Sequence, residues 1–198
     1  MRIKVLMTDK ATSRATMDER EKMLSAAVSA GTEISVDCIP RGPDELDCHT
    51  DEAFAAPELV KLAIRAEQEG FDAIVIYCFS DVGLEALREN VRIPVIAPGE
   101  TTLAVAQTLC NRLVVVTGAS WNIPRTYRRL MRNPIAREKM AAVVALDIPS
   151  EHLREDPDAT RKRLQEVCGQ AVERYGADGV VLGCLGMAGY GDELERLY

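Results

Sequence analysis

Residues 70–83, GFDAIVIYCFSDVG, and residues 176–189, GADGVVLGCLGMAG, read alike, and their likeness decides the fold. Five of the fourteen positions are identical at the same offsets: a glycine, an aspartate, a valine, a cysteine and the final glycine. Each copy reads as a helix stop at glycine, a short aliphatic run bounded by turn formers, a cysteine, and a glycine-rich approach to a helix. Working outward, Ile3 matches Leu113 and Ile34 matches Val143 at offsets near 110. The chain reads as two copies of one unit.

Short aliphatic runs alternate with helical patterns throughout, which predicts an α/β protein with parallel sheets. Strands are expected at 3–7, 34–38, 73–77, 93–97, 113–116 and 141–146. Thr16 and Glu19 stand at capping-box spacing, with Met23, Leu24, Ala27 and Val28 on one helix face and Gly31 as the stop. Residues 48–50 read as a loop, and Pro57 suits the first turn of a helix carrying Leu59, Leu62, Ala63 and Ala66 inward as far as Gly70. Further helices are expected over 83–90, 100–109 and 158–175, the last with Cys168 on its core face. Asp72 and Asp178, just ahead of two strands, read as structural. Pro98 and Gly99 punctuate the chain and set a boundary between residues 1–98 and 99–198. The expected architecture is two similar lobes, each a parallel sheet flanked by helices, related by a pseudo-twofold with the active site in the cleft between them. The fourth strand of the first copy begins at Ile93, whose counterpart would fall one residue past Tyr198, so the second copy is expected to lack a last strand and helix.

The formal charge of −7 leaves no basic excess to displace counterions from nucleic acid. The one basic cluster, Arg125, Arg128, Arg129 and Arg132, reads as a solvated helix face. Residues 1–10 hold too short an apolar run for a signal peptide, and the longest uncharged run, 179–191, falls well short of the roughly 20 residues that span a bilayer. A cytoplasmic protein acting on a small molecule is expected, with neither nucleic acid nor membrane as partner.

The cysteines at 38, 48, 78, 110, 168 and 184 show no CxxC pair and no zinc-type spacing. The adjacent Cys48 and His49 are poorly disposed to share one metal, so no metal is expected. In open α/β sheets ligands bind beyond the carboxyl ends of the strands, and Cys78 and Cys184 occupy that place in each copy. A pseudo-twofold would bring them to a shared cleft from opposing sides. The alternative, cysteine as core filling, suits either residue alone better than the matched pair. Gly183, Gly186 and Gly189 are spaced GxxGxxG, which does not match a dinucleotide fingerprint, and no lysine site for pyridoxal chemistry is evident.

The segments Tyr77-Cys78-Phe79-Ser80-Asp81-Val82-Gly83-Leu84 and Val181-Leu182-Gly183-Cys184-Leu185-Gly186-Met187 resemble the aspartate/glutamate racemase superfamily, nearest its hydantoin racemase branch. Residues 97–102, APGETT, are similar to that family's step into the second lobe. The resemblance implies a cofactor-independent racemase or epimerase with Cys78 and Cys184 as acid and base. It also implies a homo-oligomer and a last strand and helix beyond the present chain. One departure stands out: where the family carries an Asn-Pro-Asn-Thr type loop after the first strand, this chain has Thr8-Asp9-Lys10-Ala11-Thr12, which leaves the substrate open among a hydantoin, an allantoin-like compound and an amino acid derivative.

A thiolate removes a proton next to a carbonyl if the enolate is stabilised, and a second thiol returns one to the other face. Helix starts near Gly83 and Gly189 are expected to favour the thiolate. Turns at Ser80, Gly118 and Gly186 are candidates for donors to the enolate oxygen. Thr8 and Thr117, each after the first strand of its copy, are candidates to hold the substrate, and Phe79 and Leu185 to form its apolar wall. Asp81 reads as the cap of the following helix. A superfamily decarboxylase or cis-trans isomerase, and a small-ligand-binding protein without chemistry, are the competing readings.

Overall fold

The computed structural model describes residues 1–198, with the side chains of all but residues 135, 150 and 151. The chain divides into two compact units, Met1–Pro98 and Gly99–Tyr198.

In the first unit, β1 (Arg2–Met7), α1 (Arg14–Ser25), β2 (Glu33–Cys38), α2 (His49–Gln68), β3 (Ala73–Ile76), α3 (Leu84–Asn90) and β4 (Val95–Ile96) follow one another. All the strands pair in parallel, in the order β2-β1-β3-β4. Parallel neighbours need crossovers, and the helices supply them. One face of the sheet, with Leu6, Ile74 and Ile76, packs on Leu59, Leu62, Ala63 and Ala66 of α2 and on Leu84 and Leu87 of α3. That is the inward stripe expected for α2.

The second unit runs α4 (Pro98–Leu109), β5 (Leu113–Thr117), α5 (Ile123–Leu130), α6 (Pro134–Lys139), β6 (Met140–Ala145), α7 (Pro157–Tyr175), β7 (Gly179–Leu182) and α8 (Gly191–Glu195). Its sheet, again parallel, has the order β6-β5-β7. The central β5, Leu-Val-Val-Val-Thr, is buried along its whole length, as the middle of a parallel sheet covered on both faces requires. Val116, Leu164, Val167, Cys168 and Met187 share one core cluster.

The α/β architecture of two parallel sheets flanked by helices is as expected, and the repeat extends to its hydrogen bonds. The Asp72 carboxylate accepts the Arg2 amide at 2.6 Å, and the Asp178 carboxylate accepts the Arg112 amide at 2.6 Å. The Arg2 guanidinium donates to the Glu69 carbonyl, and that of Arg112 to the Tyr175 carbonyl. At the other end of each strand pair, the Tyr77 amide meets the Leu6 carbonyl at 2.8 Å and the Gly183 amide the Val116 carbonyl at 2.7 Å. Each unit is locked at both ends of its central strands by the same links.

Several local expectations are corrected. The cap of α1 is Ser13, whose hydroxyl accepts the Thr16 amide at 3.1 Å, so the helix starts earlier and ends at Ser25, ahead of Gly31. It buries Met17 and Arg20, whereas Ala27 lies past its end and is exposed. Residues 49 and 50 are helical: α2 begins at His49, where the Asp51 carboxylate accepts the Cys48 amide at 2.9 Å. Pro57 therefore stands inside α2, tolerated because Ala53, whose carbonyl loses its amide donor, lies on the exposed side. The strand expected over 93–97 shortens to Val95–Ile96. No helix among the described residues is long and apolar enough to cross a membrane.

Candidate active site

Cys78 follows β3 and Cys184 follows β7, the strands that pair with the central strand of each sheet on the same side. Both thiols are half-buried. Each cysteine opens a tight turn: the Asp81 amide donates to the Cys78 carbonyl at 3.1 Å, and the Met187 amide to the Cys184 carbonyl at 2.9 Å. The matching turns keep both side chains at the carboxyl end of their sheet, where an α/β unit holds its ligands.

The elements that follow differ from expectation. Gly83, at φ +69°, precedes α3, so the cap assigned to Asp81 belongs to Gly83, and Asp81 itself takes a left-handed φ of +54°. A side chain at Gly83 would bring its Cβ to 3.1 Å from Ala56 Cβ, which leaves glycine the fitting residue there. After Cys184 comes a 3-10 turn over Leu185–Met187, and α8 starts only at Gly191. With α3 seven residues long and α8 five, neither brings the macrodipole of a long helix to its thiol.

The other candidates lie at the same ends of the strands. Thr8 directly follows β1 and Thr117 closes β5, and both are buried. Gly118 is buried, and its carbonyl accepts the Ile148 amide at 3.1 Å. Ser80 and Gly186 are half-buried, within the turns opened by Cys78 and Cys184. Phe79 is only 4 % exposed, so its ring packs inward, whereas Leu185 is half-buried.

The loop after β1 has its charges engaged nearby. The Thr12 hydroxyl donates to the Asp9 carboxylate, the Lys10 ammonium lies 3.6 Å from Asp44, and the Lys10 amide donates to the Pro43 carbonyl at 3.0 Å. The remaining thiols are poor nucleophiles or lie elsewhere. Burial pushes the Cys168 thiol up to about 11. Burial, then the carboxylates of Asp37 and Asp9, also raises Cys38, and burial raises Cys110. Cys48 is exposed ahead of α2, and the neighbouring His49 ring is 3.2 Å from Glu52. Among the described residues no group of three or more His, Cys, Asp or Glu side chains is placed to hold a metal.

The arginine cluster starts on α5, with Arg128 and Arg132 exposed and the Arg125 guanidinium donating to Asn122 Oδ1 at 2.9 Å. A groove of 340 Å³ in the first unit is lined by Arg41, Gly42, Pro43, Asp51, Phe54 and Glu58, none of them a candidate residue. Two residues at the carboxyl end of the second sheet escaped the sequence reading: Ser120, whose amide donates to Asp147 Oδ1 at 3.1 Å and whose hydroxyl donates to the same oxygen, and Asp147 itself, at φ +59°. An aspartate just after a strand was the only signal, and it is a common one.

Comparison with known proteins agrees with the fold. The model of the family described as Asp/Glu/Hydantoin racemase matches residues 5–198. A hydantoin racemase of Rhizobium meliloti is 32% identical over 167 residues, which cover 84% of this chain and 69% of that protein. One from Pseudomonas sp. (strain NS671) is 30% identical over 204 residues, 99% of this chain and 78% of that protein. Among solved structures, an allantoin racemase from Klebsiella pneumoniae superposes with a TM-score of 0.89 at 29% identity, covering 99% of this chain and 79% of that one.

Proposed function

Because the chain belongs to the Asp/Glu/hydantoin racemase family, and is an isomerase of that kind, we propose that it inverts a stereocentre next to a carbonyl in a hydantoin, an allantoin-like compound or an amino acid derivative, with Cys78 and Cys184 as its acid and base. The observation that carries this reading is the matched placement of the two thiols, each half-buried and each opening a tight turn with one residue between it and the end of the same strand of its unit.

In the forward direction one cysteine, as thiolate, takes the proton from the stereocentre, and the electron pair moves onto the carbonyl oxygen. The other, as thiol, gives its proton to the opposite face of the same carbon. The two thiols exchange protonation states in each turnover, so each serves as base for one enantiomer. Turn amides at Ser80, Gly118 and Gly186 supply donors for the enolate oxygen, and Thr8 and Thr117 offer buried hydroxyls to a substrate carbonyl or N–H. Of the two candidates for the apolar wall, the half-buried Leu185 faces the substrate side chain, with Phe79 buried behind the turn. No cofactor is needed, because the adjacent carbonyl is the electron sink. The reading carries with it a cytoplasmic homo-oligomer, where a reducing milieu keeps both thiols available.

Solvent exchange tests it. In deuterium oxide the wild type is expected to place deuterium at the stereocentre of at least one 5-substituted hydantoin, allantoin or amino acid derivative. Cys78→Ala and Cys184→Ala should each lower racemisation by roughly 10²–10⁴-fold, the range for loss of a positioned acid or base. Racemisation that survives either substitution would sink the two-thiol mechanism.

A further inference from the structure

We infer that Asp147 and Ser120 form a clamp that positions the turn after β5, residues 117–120, for substrate; this rests on the racemase reading, which gives Thr117 and Gly118 their binding roles. Three consecutive residues after β6 tie this turn down. The Leu146 amide donates to the Thr117 carbonyl at 2.8 Å and the Ile148 amide to the Gly118 carbonyl at 3.1 Å. Between them Asp147 uses one carboxylate oxygen, Oδ1, to accept both the amide and the hydroxyl of Ser120.

The backbone of Asp147 gives the second, independent observation. At φ +59° it lies in the left-handed region, and among the described residues Asp147 and Asp81 are the only non-glycine residues with positive φ. An L residue there meets a steric cost that a short polar side chain offsets by bonding locally. The bond to Ser120 fits that role. Non-glycine residues in this region cluster at ligand sites, where surrounding structure over-determines them. The loop after β1 in the first unit is tied differently, by the Lys10 amide on the Pro43 carbonyl and by the Lys10 ammonium near Asp44. Among the described residues the loop after β1 has no such clamp, so the clamp is no simple by-product of the repeated fold.

A carboxylate that receives two donors from one residue fixes both the height and the rotation of the turn. Thr117 and Gly118, one strand end away, then present their groups to substrate already ordered, and binding need not supply that order. Asp147 and Ser120 act through the turn and need not touch substrate.

The test pairs steady-state racemisation, on the hydantoin or allantoin found active, with amide hydrogen exchange of the ligand-free protein. Asp147→Gly adopts the left-handed backbone without steric cost and removes the carboxylate. It should raise KM roughly tenfold with kcat within about twofold, speed exchange at residues 118–120 by about tenfold, and leave Tm unlowered. Ser120→Ala should raise KM in the same direction by a smaller factor. Asp147→Asn, which keeps an acceptor oxygen, should recover most of the loss. Unchanged exchange overturns the clamp. Faster exchange with unchanged KM overturns its positioning role, as does a fall in Tm without any KM change. A wild type inactive on every substrate class overturns the racemase reading, and with it the substrate role of the clamp.

Discussion

Arg20 shows what a single side chain can cost. It is 8 % exposed, its Nε is enclosed with no hydrogen-bond partner, and its guanidinium carbon stands 6.0 Å from the centre of the Tyr77 ring. The nearby carboxylates of Asp18 and Glu21 are both engaged by Arg14. A buried charge without a paired anion is unfavourable, and a flexible apolar chain of similar length removes the penalty. Arg20→Met should therefore stabilise the protein by about 1 kcal/mol in urea unfolding, the cation–ring attraction offsetting part of the gain. A loss of stability would mean the guanidinium contributes more than these contacts indicate. Arg20 was not legible as a core residue, because it lies three and four residues before Met23 and Leu24 on their stripe, where an arginine reads as solvent-facing. Cys78 and Cys184 could be picked out because the glycine stops and aliphatic runs can be laid over each other. Asp147 could not, because no side-chain pattern announces a left-handed backbone.

At the scale of elements, strands and long helices were legible and their ends were not. The inward stripe of α2 follows from helical periodicity alone, and Leu59, Leu62, Ala63 and Ala66 are all buried. The start of α2 is hidden in the sequence because Cys48 is an unusual residue to precede a helix, and its amide is capped by the Asp51 carboxylate from inside the first turn. The ends of the short strands depend on pairing partners distant in sequence, which is why β4 contracts to two residues. Leu62 packs in the cluster with Ile74, Ile76 and Leu87, at 5 % exposure. Leu62→Ala should cost roughly 2–5 kcal/mol, the transfer of the lost methyl groups plus the cavity they leave. Chemical denaturation measures it, and a cost under about 1 kcal/mol would show that α2 collapses onto the gap.

Across the molecule, the same plan is used twice, down to the aspartate that holds the first residues of each central strand. The backbone amides of Arg112 and then Asn111 hold the Asp178 carboxyl below its usual value, with burial acting weakly the other way. A carboxylate whose folded value is depressed adds stability that is fully present above its unfolded value, near pH 4, and is lost as pH falls through the lower folded value. The stability gap between wild type and Asp178→Asn should thus be widest near neutral pH and close as the pH falls below the unfolded carboxylate range; a gap that widened on acidification would contradict the assignment. In the first unit the Asp72 carboxylate accepts the Arg2 amide in the corresponding place. The repeat was visible in sequence because it preserves these aspartates and the cysteines. What differs between the copies, the ties of the two loops, lies in contacts that no spacing encodes. The 3-10 turn over Ser120–Asn122 has a spectroscopic consequence. It carries Trp121, the chain's single tryptophan, 60 % exposed and directly after the hydroxyl held by Asp147. All indole fluorescence of the protein thus originates beside that carboxylate, and ligand binding or clamp loosening can be followed by emission and quenching without attaching a dye.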